Sequence, residues 1–186
     1  MKKYIHAGMR VMNGVLKSAL LKLMHCKSFK GKIFCLMSPR TEITLDRGGQ
    51  LSWGRMFKIR SGCKIRVRKG AEIAVGDNFS MSNNCVLTAR ESIRIGCNVQ
   101  FGPGVLVYDH DHDYKAPGGL AAKKYKTAPI EIGDNVWIGA NSIILRGTKI
   151  GSNCVVAAGT IVRGEVPDGR LVYQKRETQI KIIDME

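Results

Sequence analysis

Two histidines alternate with carboxylates in an insert where a regular repeat stops. Between Val107 and Ile130 the sequence begins Tyr-Asp-His-Asp-His-Asp-Tyr, with His110 and His112 at its centre. An aspartate beside a histidine can raise the basicity of the imidazole and fix its tautomer, which suits a general base near neutral pH. A stretch of about twenty residues without periodicity, set into a regular scaffold, is more often functional than accidental. The pattern therefore favours proton transfer by one of these histidines.

Two other interpretations of the histidines stay open. Histidine and aspartate both bind metals, but the remaining histidines, His6 and His25, lie far along the chain in a predicted helix. We therefore expect no metal. The second alternative is a solvated loop without chemistry.

The six cysteines follow neither metal-ligand nor disulfide spacing, and we expect Cys85 and Cys154 to be packing residues in a reducing cytoplasm.

A six-residue period surrounds the insert and predicts the scaffold that positions it. From Ile132 to Ile161 a branched apolar residue opens each unit, and a small or branched residue takes the fifth place. Neither a helix, with a period of about 3.6, nor an ordinary strand, with a period of about 2, keeps this register. Hexapeptide periodicity is typical of a parallel β-helix, in which three units make one triangular coil.

Earlier parts of the chain repeat the pattern more raggedly. The same apolar spacing occurs around Ile95 and Val75, and imperfect coils extend back to Leu51. A Gly-x-Asn sequence recurs at four predicted corners, which suits turns with a positive φ or an Asn side chain that bonds its own backbone. These corners begin at Gly76, Gly96, Gly133 and Gly151.

The N-terminal segment has a different composition from the coils. No acidic residue precedes Glu42, whereas nine lysines and arginines do. Apolar residues recur in this segment at helical spacing, at Met9, Met12, Leu16, Ala19, Leu20 and Leu23. The pattern predicts a basic amphipathic helix, suited either to an anionic membrane surface or to capping the first coil. No run is long enough to span a bilayer, and no small-residue cleavage site of a signal peptide follows.

Charge and length narrow the function classes further. The net charge of +15 calls for an anionic partner, but the chain offers no recognition helix, zinc finger or RNP-like aromatic motif, so we expect no nucleic-acid binding. A chain of 186 residues with 44% hydrophobic content is long enough for one domain with a core. We expect a basic helical segment over 1–40, a β-helix over 41–170 with its loop at 108–129, and a tail over 171–186.

The hexads, the histidine-bearing loop and the Ile-Gly-Asp-Asn-Val-Trp-Ile-Gly sequence from Ile132 resemble the hexapeptide-repeat O-acetyltransferases, over roughly residues 75–166. That group includes maltose and galactoside acetyltransferases and enzymes that modify surface polysaccharides. The resemblance implies an all-β fold, a left-handed parallel β-helix with an N-terminal helical segment and an extruded catalytic loop. It also implies a homotrimer with active sites between subunits.

The same resemblance implies an enzyme that transfers an acetyl group directly from acetyl-CoA to a sugar hydroxyl. We expect it to act in surface polysaccharide biosynthesis, in the cytoplasm or peripherally at the inner face of the membrane. By resemblance His112 is the general base, with His110 as the alternative. The implied acetyl-CoA contacts are Ala140, Ala158 and Arg163. The phosphates of CoA need cations, and Arg163, Lys175 and Arg176 are the nearby candidates. The candidate acceptor contacts are Asn84, Arg90, Asp111 and Tyr114.

The chain departs from the family in two places. Many relatives close the last coil with Gly-x-Pro-Ala-Lys, where this chain reads Val-Tyr-Gln-Lys-Arg-Glu from Val172. An acidic residue expected near the acceptor is replaced by Arg90, so an anionic or lipid-linked glycan suits the chain better than a simple galactoside or maltose. The alternatives are an acetyltransferase for an antibiotic or amino sugar and a non-catalytic β-solenoid scaffold. The three-histidine zinc arrangement of hexapeptide-repeat carbonic anhydrases is unmatched.

Overall fold

A computed structural model describes residues 2–175 and 177–181 of the chain. One α-helix, α1 (Lys2–Met24), precedes a solenoid in which short parallel strands build three sheets. The chain visits the three sheets in the same order on each turn, so every strand pairs with the equivalent strand one turn earlier and one turn later. Six complete turns are followed by one further strand in each of two sheets. The predicted parallel β-helix is confirmed.

The strands of the solenoid are two to four residues long. Sheet A contains β1 (Phe29–Gly31), β4 (Gln50–Trp53), β7 (Glu72–Val75), β10 (Ser92–Ile95), β15 (Ile130–Ile132), β18 (Lys149–Ile150) and β21 (Glu165–Val166). Sheet B contains β2 (Leu36–Met37), β5 (Lys58–Ile59), β8 (Ser80–Met81), β11 (Gln100–Phe101), β16 (Trp137–Ile138), β19 (Val155–Val156) and β22 (Leu171–Val172). Sheet C contains β3 (Glu42–Leu45), β6 (Lys64–Val67), β9 (Val86–Ala89), β12 (Leu106–Tyr108), β17 (Ile143–Ile144) and β20 (Ile161–Val162).

The six-residue period of the sequence follows from this stacking. Ile132 pairs with Ile95 of the preceding turn and with Ile150 of the next, and all three side chains are buried inside the prism. The interior is a column of like residues, because each turn places its apolar side chains directly on those of its neighbour. Cys85 and Cys154 are fully buried members of this core, which confirms their packing role.

Each residue of a Gly-Asp-Asn corner has its own structural task. A Cβ on Gly133 would lie 2.7 Å from the backbone nitrogen of Ser152 in the next turn, so only glycine allows this close approach. Asp134 Oδ1 accepts a hydrogen bond of 2.6 Å from the Cys97 amide of the preceding turn. Asn135 takes the left-handed conformation, with φ of 56°. The asparagine carries the positive φ that the sequence pattern predicted, while the glycine permits stacking.

The N-terminal helix covers the open end of the prism. Asn13 Nδ2 donates to the carbonyl oxygens of Met37 and Ser38, 3.1 Å away in each case, and Lys17 Nζ donates to the carbonyls of Pro39 and Thr41. These carbonyls belong to the first turn, which has no preceding turn to pair with, so the helix satisfies part of an otherwise free sheet edge. The predicted cap is present.

The solenoid begins at Phe29 rather than at residue 41, so its first two strands lie within the segment that the sequence assigned to helix. These two strands directly follow the basic helical pattern, and a single turn there offers no repeat by which it could be recognised. The one α-helix of the described ranges is not apolar enough over a sufficient length to cross a bilayer.

The insert leaves the solenoid between β12 and β15. It forms an antiparallel hairpin of β13 (His110–His112) and β14 (Tyr125–Thr127), joined through a 3₁₀ turn at Gly119–Ala122. The Ala128 amide donates to the Asp109 carbonyl at 3.0 Å and closes the base of the hairpin. The predicted loop therefore has strand structure where its histidines lie.

Candidate active site

A buried carboxylate lies at the base of the hairpin. Asp109 follows β12 directly, and its side chain is fully buried. Its oxygens accept hydrogen bonds from the backbone amides of Arg90 and Glu91, at 2.7–3.0 Å, in the turn that precedes β10. Amide donors of this kind satisfy an ionised carboxylate in a place that water does not reach. Asp109 therefore joins two successive turns of the solenoid at a fixed point.

His110 is oriented by this carboxylate. Its Nδ1 lies 3.0 Å from Asp109 Oδ1, and its side chain is 13% exposed. An ionised carboxylate can only accept at this contact, so we assign the proton of the neutral imidazole to Nδ1. Nε2 is then the nitrogen with a free lone pair. This is the arrangement of a histidine prepared to remove a proton from a substrate.

An arginine and a tyrosine adjoin the same imidazole. The Arg90 guanidinium carbon lies 3.3 Å from the centre of the Tyr125 ring, a cation–π contact. Tyr125 meets His110 edge-on, with ring centres 5.6 Å apart. Arg90 Nε is buried, and within the described ranges it has no hydrogen-bond partner. A fixed cation with an unused donor thus lies beside the oriented histidine.

His112 has a different environment two residues along β13. It is exposed, and its ring centre lies 4.7 Å from that of Tyr125 in a tilted contact. Across residues 2–175 and 177–181 its imidazole has no hydrogen-bond partner. The intervening Asp111 accepts a hydrogen bond of 2.6 Å from Arg146 Nε and so ties the hairpin to the next turn. The carboxylate that orients an imidazole is Asp109, and the imidazole is that of His110.

The other predicted residues divide between the two edges of sheet C. The edge where sheet C leads into sheet A, here called the histidine edge, carries His110, Arg90 and, two turns further on, Arg163. The edge where sheet B leads into sheet C, here called the alanine edge, carries Ala140 and Ala158. Within one chain the strands of sheet C separate these two groups.

The alanine edge is made from backbone and small residues. The Gly159 amide donates to the Ala140 carbonyl at 2.7 Å, so these corners stack directly. A Cβ on Gly139 would lie 2.5 Å from the Ala158 nitrogen. Asn84 belongs to an earlier corner of this edge and takes a left-handed φ of 59°. The structure does not bring Asn84 to the acceptor candidates of the hairpin in the same chain.

Two further candidates lie on or beyond these edges. Lys175 is exposed and follows Gln174, whose amide bonds the backbone of Ile161 at 3.3 and 3.4 Å, close to the alanine edge. Tyr114 is 67% exposed in the hairpin loop, beyond the histidines. Arg176 lies outside the described residues. Among the residues that the structure describes, no cluster of three or more His, Cys, Asp or Glu could hold a metal ion.

Sequence reasoning missed three members of the site. Asp109 was visible beside His110, but the alternation of His and Asp gave no reason to prefer it to Asp111. Tyr125 joins the site through hairpin pairing, in which it stands opposite His112. Arg146 joins through stacking of the next turn. Only the pairing register could have identified the last two.

The chain is similar in sequence to known proteins that contain the hexapeptide repeat. Residues 129–163 match a family model described as the hexapeptide repeat of succinyl-transferase. The galactoside O-acetyltransferase of Escherichia coli K12 is 35% identical over 98 residues, which are 53% of this chain and 48% of that protein. WbbJ of the same organism, provisionally named a lipopolysaccharide biosynthesis O-acetyl transferase, is 26% identical over 132 residues, 67% of each chain.

A solved structure extends the likeness to the fold of most of the chain. The N-acyltransferase AntD from Bacillus cereus, in complex with dTDP and 3-hydroxybutyryl-CoA, matches with a TM-score of 0.65. The match covers 82% of this chain and 81% of AntD at 20% identity, so it bears on the fold alone. The chain spans about half the length of several curated relatives that it matches. The resemblance seen in the sequence is confirmed.

Proposed function

We propose that this hexapeptide-repeat protein is an acetyl-CoA-dependent O-acetyltransferase that modifies a sugar hydroxyl. The observation that carries the proposal is the pair formed by buried Asp109 and His110, which leaves one imidazole nitrogen free at the edge of the solenoid. Relatives named as acetyltransferases support the choice of acyl donor.

The chemistry needs one general base and no covalent enzyme intermediate. His110 Nε2 removes the hydroxyl proton as the sugar oxygen attacks the thioester carbonyl of acetyl-CoA. The carbon–sulfur bond breaks, and His110 returns the proton to the departing CoA sulfur. Asp109 stabilises the imidazolium between these two proton transfers, because its charge lies 3.0 Å from Nδ1. The thiols of three core cysteines are fully buried in the prism and therefore cannot act as nucleophiles on the substrate. They are Cys63, Cys85 and Cys154.

His110 replaces His112 as the preferred base in this proposal. Both histidines lie on β13, but only the imidazole of His110 is paired with a buried carboxylate. His112 is exposed above Tyr125, where it can contact an acceptor. The order of preference inferred from the sequence is thereby reversed, since the sequence could not separate two histidines that each adjoin aspartates.

The donor groove is proposed at the alanine edge. The pantetheine arm of CoA is slender and rich in amides, so it fits a surface of small residues whose backbone groups are accessible. Ala140 and Ala158 stack there with their carbonyls one turn apart, and Lys175 supplies a nearby cation for the phosphates. Arg163 lies on the histidine edge, from which it would reach a donor bound by a neighbouring subunit.

A homotrimer would unite the two edges. The outer face of sheet C carries charged residues in its early turns but a column of apolar residues in register later on, namely Val86, Leu106, Ile143 and Ile161. Ile161 is 48% exposed in the single chain. Packing three such faces about a threefold axis buries this column and sets the histidine edge of one subunit against the alanine edge of the next.

The acceptor is proposed to be an anionic or lipid-linked glycan of surface polysaccharide assembly. Arg90 holds a positive charge against Tyr125, whose ring also contacts His110, and a cation at this place suits a carboxylate or phosphate on the acceptor. WbbJ is named for lipopolysaccharide biosynthesis, which supports a role in surface polysaccharide assembly. Such an enzyme would work in the cytoplasm, at the inner face of the membrane where lipid-linked glycans are assembled.

Acetyl transfer is tested by incubating the protein with labelled acetyl-CoA and a panel of neutral, anionic and amino sugars. We expect label on a hydroxyl of an anionic glycan. His110→Ala should lower kcat by about 10²–10⁴-fold while CoA binding persists, and His112→Ala should lower it less than about tenfold. The assignment fails if His110→Ala keeps the normal rate or if His112→Ala causes the larger loss.

The same panel separates the alternative functions. Transfer to an amine would indicate an amino-sugar or antibiotic acetyltransferase. A non-catalytic scaffold would transfer no label and would bind CoA no better than dephospho-CoA in isothermal titration, whereas a donor site should prefer CoA through its 3′-phosphate.

A further inference from the structure

The N-terminal helix has two opposite faces with different packing. Its inner face consists of small residues pressed against the first turn of the solenoid. A Cβ on Gly14 would lie 2.1 Å from the Cys35 carbonyl oxygen, and Ser18 Oγ lies 3.1 Å from Cys35 Sγ. Gly14 and Ser18 are both buried. The helix therefore caps the prism with small residues and Leu21, while its methionines and its other leucines stay exposed.

The outer face of the same helix is an uncovered apolar stripe. Its members recur three or four residues apart and so lie one above the other along the helix. They are Met9, Met12, Leu16, Leu20 and Leu23, which are 44%, 68%, 66%, 52% and 81% exposed. A contiguous apolar surface of this kind marks an interaction site.

The charge around the stripe is mostly positive. Five exposed cations lie on or near the capped end, at Lys22, Lys27, Lys30, Lys32 and Arg40, and no acidic residue precedes Glu42. Beside the helix, Arg10, Lys58 and Arg60 line a pocket that has no carboxylate among its lining residues. Burial and the nearby Arg60 lower the pKa of Arg10, as expected where cations converge without an anion.

We propose that helix α1 lies on the surface of an anionic phospholipid membrane. The apolar stripe would enter the boundary between headgroups and acyl chains, while the surrounding lysines and arginines meet the phosphates. A second copy of the same face would bring together two surfaces whose charges are mostly positive. An anionic lipid surface supplies the opposite charge and an apolar layer at once.

This attachment is independent of the transfer chemistry. Neither the stripe nor its cations belong to the histidine edge or the alanine edge, so membrane binding and catalysis are separable by mutation. Attachment would orient the solenoid with its capped end toward the lipid and bring a lipid-linked acceptor to the same surface.

The test is co-sedimentation of the full chain with vesicles of phosphatidylcholine alone and of phosphatidylcholine mixed with phosphatidylglycerol. We expect binding to the anionic vesicles only, weakened by salt. The double substitution Leu16→Ser with Leu20→Ser should lower the partition coefficient by about tenfold or more. Lys22→Gln with Lys27→Gln should lower it roughly fivefold for each lysine removed.

Leu171→Ser is the matched control for the leucine variant. Leu171 is 62% exposed, close to the 66% of Leu16, but lies in the last strand of sheet B at the opposite end of the solenoid. It should bind vesicles like the unmodified chain. Thermal unfolding and CoA binding of the double serine variant should be retained, since the inner face of the helix is unchanged, and His110→Ala should still bind vesicles.

Three results would overturn the proposal. The first is equal binding of the unmodified chain to neutral and anionic vesicles, or binding to neither. The second is unchanged vesicle binding by the double serine variant. The third is a change of oligomeric mass in that variant with vesicle binding intact, which would make the stripe a contact between copies. Loss of acetyl transfer alone would concern the proposed enzyme and not the membrane surface.

Discussion

The two edges of sheet C are built by different means. At the histidine edge a hairpin leaves the solenoid, and side chains set the geometry: Asp109 holds His110, and Arg146 holds Asp111. At the alanine edge nothing leaves the solenoid, and stacked carbonyls of Ala140 and Ala158 form the surface. The first arrangement can move a proton, and the second can hold a slender, amide-rich ligand. The histidine edge lacks a surface for such a ligand, and the alanine edge lacks a group that transfers a proton.

The largest loss of transfer activity should come from preventing the proposed trimer from forming, which keeps the two edges apart. Ile143→Glu places a charge in the apolar column on the outer face of sheet C, where we expect neighbouring subunits to meet. Transfer activity should be almost abolished as the trimer dissociates, with both edges intact in each monomer. Light scattering and a transfer assay on the same sample check this. Ala74→Glu, on the outer face of charged sheet A, is the control and should remain assembled and active.

The second effect concerns the side-chain chemistry of the histidine edge. Asp109→Asn should lower kcat by about 10²–10⁴-fold with little change in KM for acetyl-CoA, because an amide favours the wrong imidazole tautomer. Asp111→Asn, on the other side of His110, loses an exposed contact with Arg146 and should cost less than about tenfold. Similar losses in both variants would show that Asp109 does not orient the base. Steady-state release of CoA thiol is the measurement.

The third effect concerns donor binding at the alanine edge. Ala158→Leu fills the surface proposed for the pantetheine arm and should raise KM for acetyl-CoA by about tenfold, with a smaller change in kcat. Ser61 occupies the equivalent stacked position several turns earlier, since its carbonyl accepts from the Asn84 amide as that of Ala140 accepts from Gly159. Ser61→Leu should leave KM unchanged. A raised KM in both variants would argue against a donor groove in the late turns.

The smallest expected effect is a loss of stability. It tests whether backbone atoms of successive corners at the alanine edge lie too close together to admit a side chain. Gly139→Ala adds a Cβ that would lie 2.5 Å from the Ala158 nitrogen, so the free energy of unfolding should fall by about 1–3 kcal/mol. This corresponds to a decrease in Tm of several degrees, about 2–4 °C per kcal/mol. Gly8→Ala is the control, because its Cβ meets nothing within 4 Å and alanine favours a helix. Calorimetry of both variants gives the comparison.

The repeat was predictable from the sequence where the turns are regular. From Ile132 onward the period of six follows from stacking, because each inward position must hold a side chain that packs on its copy one turn away. The first turn, from Phe29, was not predicted as solenoid because it directly follows the basic helical pattern, and the helix replaces the missing turn above it. The helix itself was predicted from spacing, but which of its faces is buried was not.

The residue types of the site could be predicted from the sequence, but not which of these residues contact one another. The insert, its two histidines and the small residues of the late corners could be located from the pattern. Two aspartates adjoin His110 in sequence, however, and only the path of the chain after β12 buries one of them under the amides of Arg90 and Glu91. Tyr125 and Arg146 approach the histidines from positions that differ by more than ten residues in sequence.

The sequence by itself determined the stacked turns, the position of the insert and the excess of positive charge at the N-terminus, because each depends on residue type at a fixed spacing. The tertiary structure decided which carboxylate meets which imidazole, which face of the helix stays open and which edge carries each half of the site. Those choices depend on the relative placement of distant segments, and a local pattern of residues does not contain that information.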